Sequence, residues 1–124
     1  MGTSMLAHVV AVVEDDAAAR KALGRLLWAW GFEPALFESA EAYLDASPDP
    51  LCIVVDVGLP GMSGIELQQR LRAAGTAPPI IMTTASHEVT VRRRAEQNGC
   101  AGFFWKPVDG STMIATIKSL ADLT

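Results

Sequence analysis

The feature that most constrains this chain is a hydrophobic pattern that keeps changing period. His8 to Val13 is a short run dominated by valine. From Ala17 to Trp30 the residues Ala19, Leu23, Leu26, Leu27 and Trp30 instead fall at helical spacing, with Trp30 completing the buried stripe, until Gly31 stops them. Trp28 lies off that stripe and is expected to be exposed. Pro34 to Phe37 is a short strand candidate, and Ser39 can cap a helix running to about Ala46 with Glu41 in its first turn. Leu51 to Asp56 is a third apolar run. Ser63 and Glu66 then form a capping-box pair ahead of a helix carrying Leu67, Leu71 and Ala74, which ends at Gly75. Pro79 to Thr84, a helix over His87–Asn98 with Val91 and Ala95 inward, Ala101 to Trp105, and a closing helix from Asp109 complete the series. The closing helix carries Met113, Ile114, Ile117, Leu120 and Ala121.

Five strand–helix units joined by short links demand a parallel sheet with helices on both faces. At 124 residues such a chain forms one domain and buries roughly two thirds of its unfolded surface. Half of it is apolar and the net charge is −4, so nothing attracts it to nucleic acid in general. No apolar run approaches the length of a membrane span. Met1 to Leu6 lacks the features of a secretory signal and is expected to be a tag remnant or a disordered start. Cys52 and Cys100 lack metal-ligand spacing, and their apolar surroundings suit buried, reduced thiols in a cytoplasmic protein.

Open parallel sheets bind ligands at the carboxyl ends of their strands. Here those ends carry Glu14-Asp15-Asp16, Asp56, Thr83-Thr84 and Trp105-Lys106-Pro107, while Phe37-Glu38 suggests no role. Folding would gather Glu14, Asp15 and Asp56, with Thr84 and Lys106 beside them. Two unit charges about 4 Å apart repel by roughly 4 kcal/mol at an effective dielectric of 20. A cation among the carboxylates relieves that, and hard oxygen ligands suit Mg²⁺. Gly58 lets the backbone approach such an ion, and Pro60 with Gly61 fixes the turn beyond Asp56. Any one of these residues alone is more often a cap, a turn or a solvated helix start; their coincidence at one sheet edge carries the signal.

At these residues the chain resembles the receiver domain of bacterial two-component response regulators. The motifs are "VVEDDAAARKAL", "VVDVGLPGMSGIEL", "PIIMTTAS" and "FFWKP", and the likeness runs from about His8 to Leu123. Its spacings look most like the transcription-regulator (FixJ/NarL-like) branch. The resemblance implies an α/β, flavodoxin-like (βα)5 fold: a doubly wound, five-stranded parallel sheet in the order 2-1-3-4-5. In the family a basic residue follows the second member of the acidic pair by five positions. Arg20 stands in that relation to Asp15, so Glu14 and Asp15 match the pair and Asp16 the helix start. Thr84 matches the family's hydroxyl position, with Thr83 as the alternative, and Ala85 leaves room for a phosphoryl group.

By the same resemblance Asp56 accepts a phosphoryl group from a sensor histidine kinase, a phosphotransfer protein or a small phosphodonor. Mg²⁺, or Mn²⁺ in its place, is held by Glu14, Asp15, Asp56 and the Gly58 carbonyl. Lys106 and Thr84 contact the phosphoryl oxygens, and Lys106-Pro107 is a candidate cis peptide. Phe103 matches the switch aromatic, whose rotation remodels the face of the fourth helix, fifth strand and fifth helix for homodimerisation or effector binding. Arg92, Arg93 and Arg94 lie on that face, as a solvated run or as a docking contact, and Gly58 and Ser86 are expected to tune phosphoryl lifetime. DNA enters only indirectly, through an effector segment, and a membrane not at all. Such a chain phosphorylates itself and dephosphorylates slowly; it is not a turnover enzyme. Three rivals are weaker. An Asp-nucleophile phosphatase wants a second acid where Gly58 stands. A flavin or nucleotide binder would not place Glu14-Asp15-Asp16 against phosphate. A degenerate receiver acting only as an interaction module would not keep the full site set.

Overall fold

The computed structural model describes residues 8–121, so the Met1–Leu6 start and the end of the likeness at Leu123 lie outside the described residues. Strands and helices alternate: β1 (Val9–Val13), α1 (Ala17–Ala29), β2 (Glu33–Phe37), α2 (Ala40–Ala46), β3 (Cys52–Asp56), α3 (Gly64–Ala73), β4 (Ile80–Thr84), α4 (Val89–Gln97), β5 (Gly102–Trp105) and α5 (Gly110–Ala121). The sheet is parallel throughout, in the order β2-β1-β3-β4-β5. This is the flavodoxin-like, doubly wound arrangement. Pro34, which has no N–H for a ladder, sits in β2 at the sheet's edge, where a proline is tolerated.

Alternation along the central strands divides the core in two. Ile53 and Val55 of β3 pack with Ala40, Tyr43, Ile65, Leu67, Leu71 and Ala95, beneath α2, α3 and α4. Cys52 and Val54 face the other way, against Leu27 of α1 and Met113, Ile114 and Ile117 of α5. Every residue of β3 and β4 is buried, which is why these strands read as uninterrupted apolar runs. Four helices begin on a side-chain cap, α5 among them through Asp109, which accepts from Ser111 N. Asp16 accepts from Ala19 N, Ser39 from Ala42 N, and Ser63 with Glu66 closes both bonds of the capping box. No helix among the described residues is long and apolar enough to cross a membrane.

Local expectations fail at a few positions. Trp30 does not complete the buried stripe of α1: it is the C-cap, 50% exposed, with the Lys118 ammonium 4.3 Å from its ring centre. The chain turns away at Gly31, whose φ is +89°, and Phe32 fills the core under the helix end instead. Trp28 is 71% exposed, as its position off the stripe predicts. Ala74 is exposed because α3 has already ended. α4 begins at Val89 rather than His87, and Cys100 is only partly buried while Cys52 is fully so.

Candidate functional site

The strand tips meet as the topology requires. Val13 pairs with Val55, which brings the next residues, Glu14 and Asp56, to one level, and Asp56 pairs in turn with Thr83. Glu14 and Asp56 are buried, at 2% and 9% exposure, while Asp15 faces solvent. Each of the three offers a carboxylate oxygen, and those oxygens lie within 4.8 Å of one another. Asp16 stands apart from that cluster, with its carboxylate committed to capping α1.

Lys106 reaches into the group from the end of β5. Its ammonium donates to Glu14 Oε1 at 2.7 Å and lies 3.4 Å from Asp56 Oδ2. Burial disfavours that charge, but the Glu14 hydrogen bond and the nearby Asp56 carboxylate outweigh it and hold the lysine pKa above its ordinary value. In their ionised forms three carboxylates against one ammonium leave two negative charges uncompensated. All the donors are hard oxygens, so the residues present fit a divalent cation such as Mg²⁺.

The backbone around the cluster is fixed from several sides. Arg20 donates to the carbonyls of Glu14 at 2.8 Å and Asp15 at 3.3 Å, which holds the turn after β1. The Asp16 amide donates to Glu14 Oε2 and the Gly58 amide to Asp56 Oδ1. A Cβ on Gly58 would meet nothing within 4 Å, whereas one on Gly64 would sit 2.6 Å from the Asp56 carbonyl oxygen. The N-terminus of α3 is therefore seated directly on the end of β3, and only glycine fits there. Glu41 of α2 accepts from Met62 N at 3.0 Å, a bond that holds its carboxyl below the usual range. It clamps the turn at Gly61, whose φ is +73°. The Lys106–Pro107 peptide is cis.

Thr84 is buried; its hydroxyl accepts from Ser86 N at 3.0 Å and its carbonyl from Lys106 N at 2.8 Å. Thr83 instead lines a cavity of about 280 Å³ with Leu23, Leu26, Lys106 and Val108, between α1 and the link to α5. Phe103 packs against the core beneath α4 and meets Trp105 edge-on at 5.7 Å. The Arg92 guanidinium lies 4.9 Å from the Trp105 ring centre and 5.9 Å from that of Phe103.

Of the residues singled out in the sequence, Glu14, Asp15, Asp56 and Lys106 come together; Gly58 meets Asp56 through its amide, Thr84 ends β4, and Phe103 lies in the core beneath α4. Sequence reasoning missed the Glu14–Lys106 ion pair, which joins residues 92 positions apart, and the Glu41 clamp. It also missed the stacking of Arg92 and His87 on Trp105. A capping charge at Glu41 was visible in the sequence; its second partner, 21 residues on, carried no local signal.

Comparison with known proteins agrees with this geometry. The family model described as response regulator receiver domain matches residues 10–118. The chain is 39% identical over 110 residues to the transcriptional regulatory protein FixJ of Bradyrhizobium diazoefficiens, covering 87% of this chain and 54% of that protein. It is 38% identical over 116 residues to nodulation protein W of the same organism, covering 92% and 51%. The chain thus spans about half the length of the curated relatives it matches. A crystal structure of FixJ-N superposes with a TM-score of 0.85 at 30% identity, over 97% of this chain and 98% of that one. Strand order, strand-tip chemistry and sequence all lead to one family: the chain belongs to the receiver domains of two-component response regulators, beside the FixJ-type transcriptional regulators.

Proposed function

We propose that this receiver takes a phosphoryl group on Asp56 from a histidine kinase or phosphotransfer protein, and that Glu14, Asp15, Asp56 and the Gly58 carbonyl hold the Mg²⁺ the transfer needs. The observation that carries this reading is the convergence of three carboxylates and Lys106 at two neighbouring strand tips and the end of β5. A bound divalent ion would neutralise charge on the transferring phosphoryl oxygens. Asp56 supplies the nucleophilic oxygen: the new O–P bond forms as the phosphorus–nitrogen bond of the phosphohistidine breaks, and the imidazole leaves. Lys106 exchanges its Glu14 partner for a phosphoryl oxygen, and the Thr84 hydroxyl donates a hydrogen bond to another. Its buried position gives the Asp56 carboxylate little water to shed before it reacts. Phe103 then moves inward behind Thr84, and the face built from α4, β5 and α5 becomes competent for a second copy or an effector.

The direct test is intact-mass analysis after incubation with phosphoramidate or acetyl phosphate and Mg²⁺. Wild type should gain one phosphoryl mass and Asp56→Ala none; an unmodified wild type, or equal modification of the variant, contradicts the proposal. Size-exclusion chromatography of the modified protein then reports whether dimerisation follows.

A further inference from the structure

The end of the sheet opposite the carboxylate cluster carries a cavity of its own. Where β4 and β5 begin, the links over residues 74–79 and 98–101 meet the side of α3 and the end of α5, and together they surround about 370 Å³. Pro78 and Pro79 from the first link, Ala101 from the second and Leu120 from α5 give it apolar walls. The ring of each proline fixes its φ, which stiffens that side of the cavity. A volume of ~300–1,000 Å³ with apolar walls and a few placed polar groups is the usual make-up of a small-molecule site.

Two polar side chains line it from α3, one helical turn apart: Gln68 and Arg72. Gln68 is 1% exposed. Its Nε2 donates to the Ala95 carbonyl at 3.2 Å, and that partner can only accept, so the amide cannot turn its oxygen there instead. Gln68 Oε1 is left without a hydrogen bond, alone in this among the buried side-chain polar atoms of the described residues. Buried carbonyl oxygens are nearly always paired, and this one calls for a donor. Arg72 is exposed, and no carboxylate among the described residues pairs with it. Its guanidinium lies over Gly99, where an added Cβ would sit 2.6 Å from Nη1.

We propose that this cavity is a binding site for a small amphiphilic carboxylate: an apolar ring or chain with a hydroxyl or N–H at one end and the acid at the other. Each part answers to a group of the protein. Gln68 Oε1 accepts from the hydroxyl or N–H, the proline-walled space takes the apolar body, and the planar Arg72 fork matches a carboxylate. The spacing of Gln68 and Arg72 along α3 sets the two polar ends of the ligand apart. The cavity opens at the start of the strands and the acidic cluster stands at their ends, so this site goes beyond the phosphoacceptor reading and does not depend on it.

The test titrates isotope-labelled protein with three probes, 4-hydroxybenzoate, benzoate and phenol, and follows the backbone amides by NMR. In wild type 4-hydroxybenzoate should give saturable shifts at Gln68, Arg72, Gly99 and Ala101, with a Kd of about 1 mM. Benzoate, which lacks the donor, should bind about fivefold more weakly. Phenol, which lacks the acid, should bind about tenfold more weakly. Arg72→Gln should lose about tenfold for 4-hydroxybenzoate and leave phenol unchanged. Gln68→Met keeps the side-chain length and should bind 4-hydroxybenzoate and benzoate alike. Where Gln68→Met does not fold, the wild-type probe series and Arg72→Gln decide. A wild type whose cavity amides stay unmoved at about 20 mM 4-hydroxybenzoate overturns the proposal. Equal affinity of the three probes for wild type, or an Arg72→Gln protein that binds the acid undiminished, overturns it as well.

Discussion

Lys106 stands where a metal ion held by the carboxylates would compete with it. Its ammonium is 2.7 Å from one carboxylate oxygen of the cluster and 3.4 Å from another, so it already neutralises charge that a divalent ion would otherwise meet in full. The same side chain is expected to serve phosphoryl transfer, and the two duties oppose each other. Removing it should slow phosphorylation while making the carboxylate cluster more attractive to Mg²⁺. Lys106 is partly solvent-exposed, so its competition is worth only about 1 kcal/mol, or roughly fivefold in affinity. Lys106→Ala should therefore bind Mg²⁺ about fivefold more tightly in calorimetric titration. An unchanged or weaker affinity would mean that Lys106 helps to organise the carboxylates more than it competes for them.

The elements around Asp56 matter because one of them rests on its backbone. Ser63 and Gly64 are adjacent but do different things. Ser63 closes the capping box of α3, and losing such a cap typically costs about 1 kcal/mol. Gly64 gives the helix its close seat on the Asp56 carbonyl, where an added methyl would lie 2.6 Å from the oxygen and 3.0 Å from the Val57 Cα. Ser63→Ala should lower the urea midpoint and leave Mg²⁺ affinity unchanged. Gly64→Ala should cost about 1–3 kcal/mol and weaken Mg²⁺ binding as well, since the strand tip itself must shift. Equal Mg²⁺ affinity in the two variants would show that the seat of α3 does not position the site. The same stretch explains why some elements were legible in the sequence and others were not. A Ser-x-x-Glu pair is a local signal, and α3 begins where it says. α4 has no such signal: its N-cap Glu88 makes no side-chain capping bond, so its start at Val89 was hidden. Trp30 misled for a related reason, because spacing extends a stripe past the point where Gly31 turns the chain.

For the molecule as a whole, periodicity supplied the five βα units, but it cannot order strands; the order 2-1-3-4-5 came from family likeness and is the observed one. The acidic cluster was legible because parallel topology brings strand tips to one edge. The pairing of Glu14 with Lys106 was not, since only side-chain geometry decides which acid a lysine meets. The two-sided core carries a further consequence for stability at alkaline pH. Cys52 is sealed in the layer beneath α1 and α5, where burial pushes its thiol pKa from 9.0 up to about 12. Tyr43 is buried beneath α2, where burial, and then the charge of Asp49, pushes its pKa from 10.0 up to about 12. Burial raises the Cys100 thiol too. Each of these groups keeps its proton in the fold at a pH where the unfolded chain has released it. The unfolded state then binds fewer protons, so stability falls as pH rises, by up to about 1.4 kcal/mol per pH unit for each such group. The decline should begin near pH 9 with the cysteines and steepen above pH 10 as Tyr43 joins. Urea denaturation under reducing conditions at pH 8, 9 and 10 should show a falling midpoint in wild type and a shallower fall in Cys52→Ala. A wild-type midpoint that stays level across that range would mean the buried thiol meets water more readily than its packing between β1, β3 and α5 implies.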